Sequence, residues 1–240
     1  MDAHPPKTAA IIPAAGAGVR MQSRQAKQFL TLGGRPMLAV TLQAFETCPQ
    51  VDGVFLVVPS SDIGYCTEEI VARFEFKKVR KVIAGGKRRQ DSVRMGIEAT
   101  KGDYAYIVIH DGVRPLITPG LLTEVINTAR THRAVITALA ATETVKEINR
   151  RQEVVKTHER ARMYMVQTPQ AFRYEDILKA HRRALREGWD EATDDAYLVE
   201  RCGIPVRVVA GLERNIKITT PMDLETANWI LKSAIDPVPA

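Results

Sequence analysis

Short apolar runs rich in β-branched residues recur along the chain, each followed by a segment whose apolar residues repeat with the period of a helix. Strands that are apolar throughout are typical of a parallel sheet covered on both faces. With right-handed crossovers, this order predicts an α/β doubly wound sandwich. The predicted strands are about 9–12, 54–58, 79–84, 104–109, 134–138 and 206–210, and the predicted helices about 34–48, 62–74, 91–99, 119–131, 174–187, 194–202 and 221–234.

Residues 140–165 interrupt this alternation. The stretches 143–148 and 153–157 alternate apolar and polar residues without a long apolar face, which favours a β-hairpin arm projecting from the body. A lone hairpin is marginally stable in water, so we expect the arm to pack against another surface, such as a second subunit. No repeat or linker divides the chain, which predicts a single domain over 1–240 with the arm inserted at 140–165.

Composition excludes several classes of protein. The chain has 240 residues, 45% of them hydrophobic and 26% charged, which argues against disorder and against a disulfide-stapled miniprotein. No apolar run reaches the roughly 20 residues of a membrane helix, and the N-terminus lacks a signal-peptide pattern, so we expect a cytoplasmic protein without membrane contact. The net charge of +6 attracts either nucleic acid or phosphorylated small molecules.

The loop after the first predicted strand, residues 13–21, is rich in small residues and is followed by Lys27. Small residues let backbone amides approach a phosphate, and Arg20 and Lys27 add positive charge. A dinucleotide fingerprint is excluded because Met21 stands where its last glycine is required. A P-loop is excluded because the Gly86-Lys87 pair is followed by arginine. The loop therefore predicts a phosphate site of another type.

Three further loops carry candidate chemistry. Gly85-Gly86 precedes a helix start, where free amides could meet a base edge or a phosphate, or form a solvated turn. Asp111 follows a buried strand and could hold Mg²⁺ near phosphates or cap a turn, while His110 beside it is interpreted as structural. Residues 215–219 alternate like a strand that would point Lys217 away from the core, and an ordinary surface lysine is the alternative.

Taken together, these loops resemble the 2-C-methyl-D-erythritol 4-phosphate cytidylyltransferase family, with matches in family order over roughly residues 8–232. The glycine loop is common to many nucleotidyltransferases, whereas the later blocks are much more specific. The sequence departs from the family's usual residues at Lys87, Gly112-Val113, Glu143 and Tyr197. The matching segments are 14–21, Lys27-Gln28-Phe29, Gly85-Gly86 with Arg89, Ser92-Val93 and Gly96, His110-Asp111 with Arg114-Pro115, Thr144-Val145-Lys146, Gln167-Thr168-Pro169-Gln170-Ala171-Phe172, Thr193-Asp194-Asp195 and Asn215-Ile216-Lys217-Ile218-Thr219.

The resemblance implies a Rossmann-like nucleotidyltransferase fold with a mostly parallel sheet, and a Mg²⁺-dependent reaction. In it, CMP passes from CTP to 2-C-methyl-D-erythritol 4-phosphate in non-mevalonate isoprenoid precursor synthesis. It further implies that Arg20 and Lys27 stabilise charge on the α-phosphate. Lys217 and Arg160 would position the attacking phosphate, and Asp111 would serve both metal and substrate. The positions implied to hold CTP are Ala14, Ala15, Gly16, Gly18, Gly86 and Ser92.

The resemblance also assigns a role to the arm. Thr144 and Arg160 would reach the partner subunit's site, which implies a homodimer with exchanged arms, and Thr193 would line the polyol pocket. Bringing two phosphates together requires cations and geometry rather than a general base, so cationic side chains from separate segments fit this chemistry.

Three alternatives remain at this stage, of which a more distant nucleotidyltransferase that uses another base or a sugar phosphate is less favoured than the nearest relative. A relative with the same chemistry could act on ribitol 5-phosphate; the arm and the Thr193 region would set that choice, and here they favour methylerythritol phosphate. The third alternative is a non-catalytic nucleotide- or RNA-binding protein that uses the positive charge. RNA-binding proteins usually pair basic residues with exposed aromatic residues, but aromatics are 6% of this chain. We therefore expect no nucleic-acid partner.

Overall fold

The structure is a computed structural model that describes residues 6–16, 26–190 and 192–235. Most of its helices and strands alternate in the order that the sequence predicts. The strands are β1 (Thr8–Pro13), β2 (Thr31–Leu32), β3 (Arg35–Pro36), β4 (Gly53–Val58), β5 (Val79–Ala84), β6 (Tyr106–Ile109), β7 (Ala134–Ala140), β8 (Lys146–Ile148), β9 (Val154–Thr157), β10 (Tyr164–Arg173) and β11 (Arg207–Ala210). The helices are α1 (Met37–Thr47), α2 (Ile63–Tyr65), α3 (Arg89–Ala99), α4 (Pro119–His132), α5 (Tyr174–Glu187), α6 (Asp195–Glu200) and α7 (Pro221–Ile235).

Seven of the described strands form the central sheet, in the order β11-β7-β10-β6-β1-β4-β5. Within this described part all strands run parallel except β10, which is antiparallel to both of its neighbours, β6 and β7. Helices cover both faces, since α1 and α4 pack on one side and α3, α5 and α6 on the other. The doubly wound, mostly parallel α/β fold is therefore confirmed.

Alternate residues of each buried strand supply the two cores. In β1, Ala10 and Ile12 face the layer of α1 and α4, while Ala9 and Ile11 face the layer of α3 and α5. Fully burying one Ile or Leu side chain contributes about 1.5–3 kcal/mol, so these two apolar layers supply most of the driving force for folding. A side chain at Gly96 would collide with Ile11, which explains how closely α3 approaches β1.

Some elements differ from the sequence prediction: residues 35–36, predicted to open the first helix, form strand β3 instead. No strand was predicted over β10, because its polar residues interrupt the apolar pattern; Gln167, Thr168 and Gln170 are nevertheless buried there. The helix predicted over 62–74 begins as a 3-10 turn, Ser60–Asp62, and passes through α2 into a π-helix, Cys66–Ala72.

The hairpin arm has the predicted form, with β8 and β9 paired in antiparallel fashion. The chain leaves the body at the end of β7 and returns at the start of β10, where Ala140 pairs with Tyr164. Among the described residues, no helix combines the length and the apolar character that crossing a bilayer would require.

Candidate active site

The carboxyl ends of β1, β5 and β6 border two adjacent pockets. The first pocket is lined by residues 13–16, Lys27-Gln28 and 86–89, together with Ser92 and Val113. The second is lined by Arg114, residues 166–168, Gln170 and Thr193-Asp194. Both pockets share one wall, made of Arg89, Asp111 and Lys217. Ligands of open α/β sheets bind at this edge, so the paired pockets are the candidate active site.

Asp111 is the centre of the shared wall and its side chain is only 9% exposed. Arg89 Nε donates a hydrogen bond to Asp111 Oδ1 at 3.0 Å, and Lys217 Nζ lies 2.9 Å from Oδ2. Arg114 Nε lies 3.7 Å from Oδ2. Burial acts to raise the pKa of Asp111, but these cations hold it well below its usual range. Asp111 is therefore an anion that keeps three cationic side chains close together.

The irregular part of β10 between Gln167 and Gln170 packs against the Asp111 loop and is hydrogen-bonded to it. Thr168, which precedes a cis proline, accepts a hydrogen bond at Oγ1 from the Asp111 backbone N–H at 3.1 Å. Its hydroxyl also lies 3.2 Å from His110 Nδ1. His110 Nε2 lies 3.0 Å from the Arg114 carbonyl oxygen, an obligate acceptor, so Nε2 carries the hydrogen and Nδ1 accepts from Thr168.

His110 has a structural part in this arrangement, as the sequence interpretation held. It is fully buried, and burial lowers the pKa of His110 to about 4. The imidazole is therefore neutral near pH 7 and ties the Asp111 loop to β10 through hydrogen bonds.

Lys217 is held by loop contacts and not by the strand that the alternation of residues 215–219 suggested. The neighbouring Asn215 is fully buried, and its Nδ2 donates to the Thr168 carbonyl oxygen at 2.7 Å. Arg114 Nη1 donates to the Asn215 carbonyl oxygen at 2.8 Å, and the Ile218 N–H donates to Val113 O at 2.9 Å. These bonds use the backbone groups that a strand would offer to a neighbour.

The glycine turn after β5 shapes the first pocket. The Gly86 N–H donates to Ser92 Oγ at 3.1 Å, which links the turn to the first turn of α3. Arg88 Nε and Nη2 each donate to one oxygen of Asp91 at 2.9 Å, and Nη1 contacts Asp190 in the loop before α6. The turn is therefore fastened both to α3 and to the loop that carries Thr193.

The structure brings together most of the sequence-predicted residues. Thr193 lines the second pocket. Gly18 and Arg20 lie outside the described residues. Thr144 and Arg160 are exposed on or beside the arm and line neither pocket of the same chain; Arg160 Nη1 donates to the Thr142 carbonyl oxygen at 3.1 Å. The predicted residues that line the first pocket are Ala14, Ala15, Gly16, Lys27, Gly86, Ser92, Asp111 and Lys217.

Sequence reasoning gave no role to several residues that build the site. Arg89 and Arg114 matched family segments without an assigned function, yet both contact Asp111. Thr168 and Asn215 are buried polar supports whose partners lie far away in the chain. Both residues lie in motif segments that are specific to the family, and this was the only sign of their importance in the sequence. A buried polar residue needs a hydrogen-bond partner, but the sequence does not identify it.

Two pockets divided by a wall that carries Arg89 and Lys217 suit two anionic ligands that meet at the wall. Phosphate groups fit this description, because arginine and lysine bind them through charge-assisted hydrogen bonds. The fold and this site define an α/β enzyme of the phosphate-transferring type, with the small residues 14–16 on one side.

Comparison with known proteins gives the family. Residues 8–233 match the family described as IspD: 2-C-methyl-D-erythritol 4-phosphate cytidylyltransferase. The chain therefore belongs to this family. A protein of that name from Geobacter metallireducens is 46% identical over 229 residues, covering 94% of this chain and 98% of its own length. One from Syntrophus aciditrophicus is 44% identical over 227 residues, covering 95% of this chain and 97% of its own.

Solved structures agree with this assignment. The 4-diphosphocytidyl-2C-methyl-D-erythritol synthase of Anaerococcus prevotii superposes with a TM-score of 0.84 at 33% identity, covering 95% of this chain and 96% of its own. The 2-C-methyl-D-erythritol 4-phosphate cytidylyltransferase of Francisella tularensis gives a TM-score of 0.79 at 30% identity, covering 93% of this chain and 99% of its own. The resemblance stated from the sequence motifs is confirmed.

Proposed function

We propose that the chain transfers CMP from CTP to 2-C-methyl-D-erythritol 4-phosphate, giving 4-diphosphocytidyl-2-C-methyl-D-erythritol and pyrophosphate for non-mevalonate isoprenoid precursor synthesis. The observation that carries this proposal is the wall of Arg89, Asp111 and Lys217 between two pockets. CTP would occupy the first pocket and the polyol phosphate the second, so that the reacting phosphates meet at the wall.

The reaction requires no protein nucleophile. An oxygen of the 4-phosphate forms a bond to the α-phosphorus of CTP, and the bond from that phosphorus to the bridging oxygen breaks, releasing pyrophosphate. The barrier comes from bringing anions together and from charge that develops on the phosphoryl oxygens. Fixed cations lower it without reorganising during the step.

Each cation has a place in this scheme. Lys27, with Arg20, would stabilise charge on the α-phosphate, and Lys217 would orient the attacking phosphate. Ala14, Ala15, Gly16 and Gly18 would provide backbone amides for the triphosphate. Gly86 and Ser92 would face the cytosine. Thr193 lines the second pocket, where a hydroxyl can bond to the polyol.

We propose that Mg²⁺ would be held at this site by Asp111 together with the substrate phosphates. Among the described residues no group of three or more His, Cys, Asp or Glu side chains could hold a metal alone. Mg²⁺ commonly binds through one or two carboxylates plus phosphates and waters. Asp111 is ionised, and its two oxygens offer more lone pairs than Arg89 and Lys217 use. When bound, the ion would neutralise phosphate charge.

We also propose a homodimer in which each arm reaches the partner's second pocket. The arm and the adjoining start of β10 expose large apolar side chains, with Val154 at 58% and Met165 at 65%. Apolar patches of this kind mark protein interfaces. Thr144 and Arg160 lie on this part of the chain and line neither pocket of their own subunit.

We further propose a cytoplasmic location. It is supported by the three cysteines, which are all free thiols.

The test is pyrophosphate release from CTP and Mg²⁺, with methylerythritol 4-phosphate and ribitol 5-phosphate offered in parallel. Turnover confined to the first acceptor supports the proposal. A preference for ribitol 5-phosphate would keep the chemistry and change the substrate. Silence with both acceptors, from protein shown to be folded, would contradict nucleotidyl transfer.

A further inference from the structure

His181 on α5 lies behind the active site and belongs to neither pocket. It is fully buried, and its Nε2 lies 3.1 Å from Asp195 Oδ1. Asp195 is ionised, since Arg89 and His181 hold the pKa of that carboxyl below its usual range although burial acts to raise it. A carboxylate can only accept, so Nε2 carries the hydrogen. The other nitrogen, Nδ1, has no hydrogen-bond partner among the described residues. His181 therefore donates its Nε2–H to Asp195.

Asp195 divides its two oxygens between two partners. Oδ1 receives the hydrogen bond from His181, and Oδ2 receives one from Arg89 Nη1 at 2.8 Å. The carboxylate is only 1% exposed, so water contributes little to satisfying it. Each oxygen is thus occupied by a side chain that the fold holds in place.

Arg89 is shared in turn between two carboxylates. Its Nη1 donates to Asp195 and its Nε donates to Asp111 at 3.0 Å. An arginine beside a carboxylate tends to form two parallel bonds to it, because the guanidinium fork matches both oxygens. Here one oxygen of Asp195 is already taken by His181. Arg89 therefore makes a single bond to Asp195 and keeps Nε for Asp111.

We infer that His181 is a positioning residue for the reaction: by occupying Asp195 Oδ1, it keeps Arg89 directed at Asp111 in the wall between the pockets. This inference rests on the proposed function, because the wall is where the phosphates would meet. Loss of the His181 N–H would free an oxygen of Asp195 to draw Arg89 into a two-bond pair. Asp111 would lose one cation, and both pockets would lose the Arg89 charge at their border.

The kinetic test uses His181→Phe, which fills the space without a donor, and His181→Gln, which retains an N–H donor. For the Phe variant we expect kcat/KM for methylerythritol 4-phosphate to fall about tenfold, as is common when a supporting hydrogen bond is lost. The KM for CTP should rise less than the KM for methylerythritol 4-phosphate, because the glycine turn of the first pocket is held independently through Ser92 and Asp91. The Gln variant should recover most of the loss.

Ile177→Val is the matched control, because Ile177 is also fully buried on α5 but takes no part in the hydrogen-bond chain. Thermal unfolding of all variants reports how far α5 is disturbed. Equal kinetic losses in the Phe and Val variants, or in the Phe and Gln variants, would overturn the inference, since the N–H donor would not then be the operative feature.

A readout independent of turnover separates this inference from the proposed function. In ¹⁵N NMR spectra, the Arg89 Nε–H should exchange slowly with water in the wild-type protein and in His181→Gln, and rapidly in His181→Phe. Slow exchange in all three proteins would overturn the inference. The wild-type protein could show no turnover while the Arg89 Nε–H still exchanges faster in His181→Phe. That result would contradict the proposed function but would support the positioning of Arg89 by His181.

Discussion

The Lys217 ammonium lies 2.9 Å from the carboxylate of Asp111, although Lys217 precedes α7 and Asp111 follows β6, more than 100 residues earlier in the chain. The pair shows how the site keeps several cations close to one another before any substrate binds. A substrate phosphate could replace Asp111 as the partner of Lys217. Preorganised charge of this kind is the main means by which proteins accelerate phosphoryl-type transfers.

Removing either lysine should remove most of the activity. Lys217→Ala and Lys27→Ala are each expected to lower kcat about 30- to 1,000-fold, corresponding to about 2–4 kcal/mol of transition-state stabilisation. The measurement is steady-state pyrophosphate release, with circular dichroism to check the fold. Lys179→Ala, an exposed lysine on α5, is the control and should behave as wild type. Rates near wild type for both site variants would contradict their assigned roles.

Metal removal should stop turnover, and Asp111 should determine how much metal is required. We expect chelation of divalent cations to abolish pyrophosphate release and added Mg²⁺ to restore it. Asp111→Asn should raise the Mg²⁺ concentration for half-maximal rate by about 10- to 100-fold, because a neutral amide is a weaker ligand. Asp103→Asn, at an exposed turn before β6, should leave this concentration unchanged. Undiminished turnover in the absence of divalent cations would refute the metal proposal.

Mixing two inactive variants should restore activity if the arm serves the partner's site. Arg160→Ala and Lys27→Ala homodimers should each be nearly inactive. In a heterodimer, one site combines the intact Lys27 of one subunit with the intact Arg160 arm of the other. Random mixing should therefore recover about a quarter of the wild-type rate, because half of the dimers are mixed and one of their two sites is complete. Confirmed heterodimers without recovery would argue against a shared site.

The start of α7 should give a pH-dependent contribution to stability. Asp223 Oδ2 accepts hydrogen bonds from the backbone N–H groups of Thr219 and Thr220, each at 2.8 Å. Partial burial acts to raise the pKa of Asp223, but these bonds lower it below its usual value. A depressed carboxyl pKa stabilises the fold above the unfolded value, about 3.9, and the contribution is lost as pH falls through the lower, folded value.

Asp223→Asn should therefore lower the free energy of unfolding by about 1 kcal/mol at pH 7, as is usual for a lost helix cap. The difference from wild type should shrink as the pH is lowered below about 4, where the aspartate of both states takes up protons. Urea unfolding at a series of pH values measures this. A difference that is constant with pH would mean that the charge of Asp223 is not involved. Glu225→Gln, at an exposed position of α7, serves as the control.

The sequence predicted the parallel strands well because each is an apolar run between helical segments, as in Gly53–Val58. It did not predict β10, whose burial depends on long-range bonds such as the one from Gln170 Nε2 to Asp194 Oδ2 at 2.8 Å. Periodicity reports local burial and carries no information about such partners. For the same reason Arg89 and Thr168 stood in recognised motifs without a role until the structure placed them beside Asp111. The roles of Thr144 and Arg160 stay predictions.

The pairing of Ala140 with Tyr164 has an evolutionary consequence. The arm begins and ends at neighbouring positions on two adjacent strands, so a short turn could replace it and leave the sheet continuous. Such an insertion can be lengthened, shortened or exchanged with little penalty to the rest of the domain, because the ends that it must join do not move. Changes of length or sequence in this segment would therefore leave the framework of the two pockets in place.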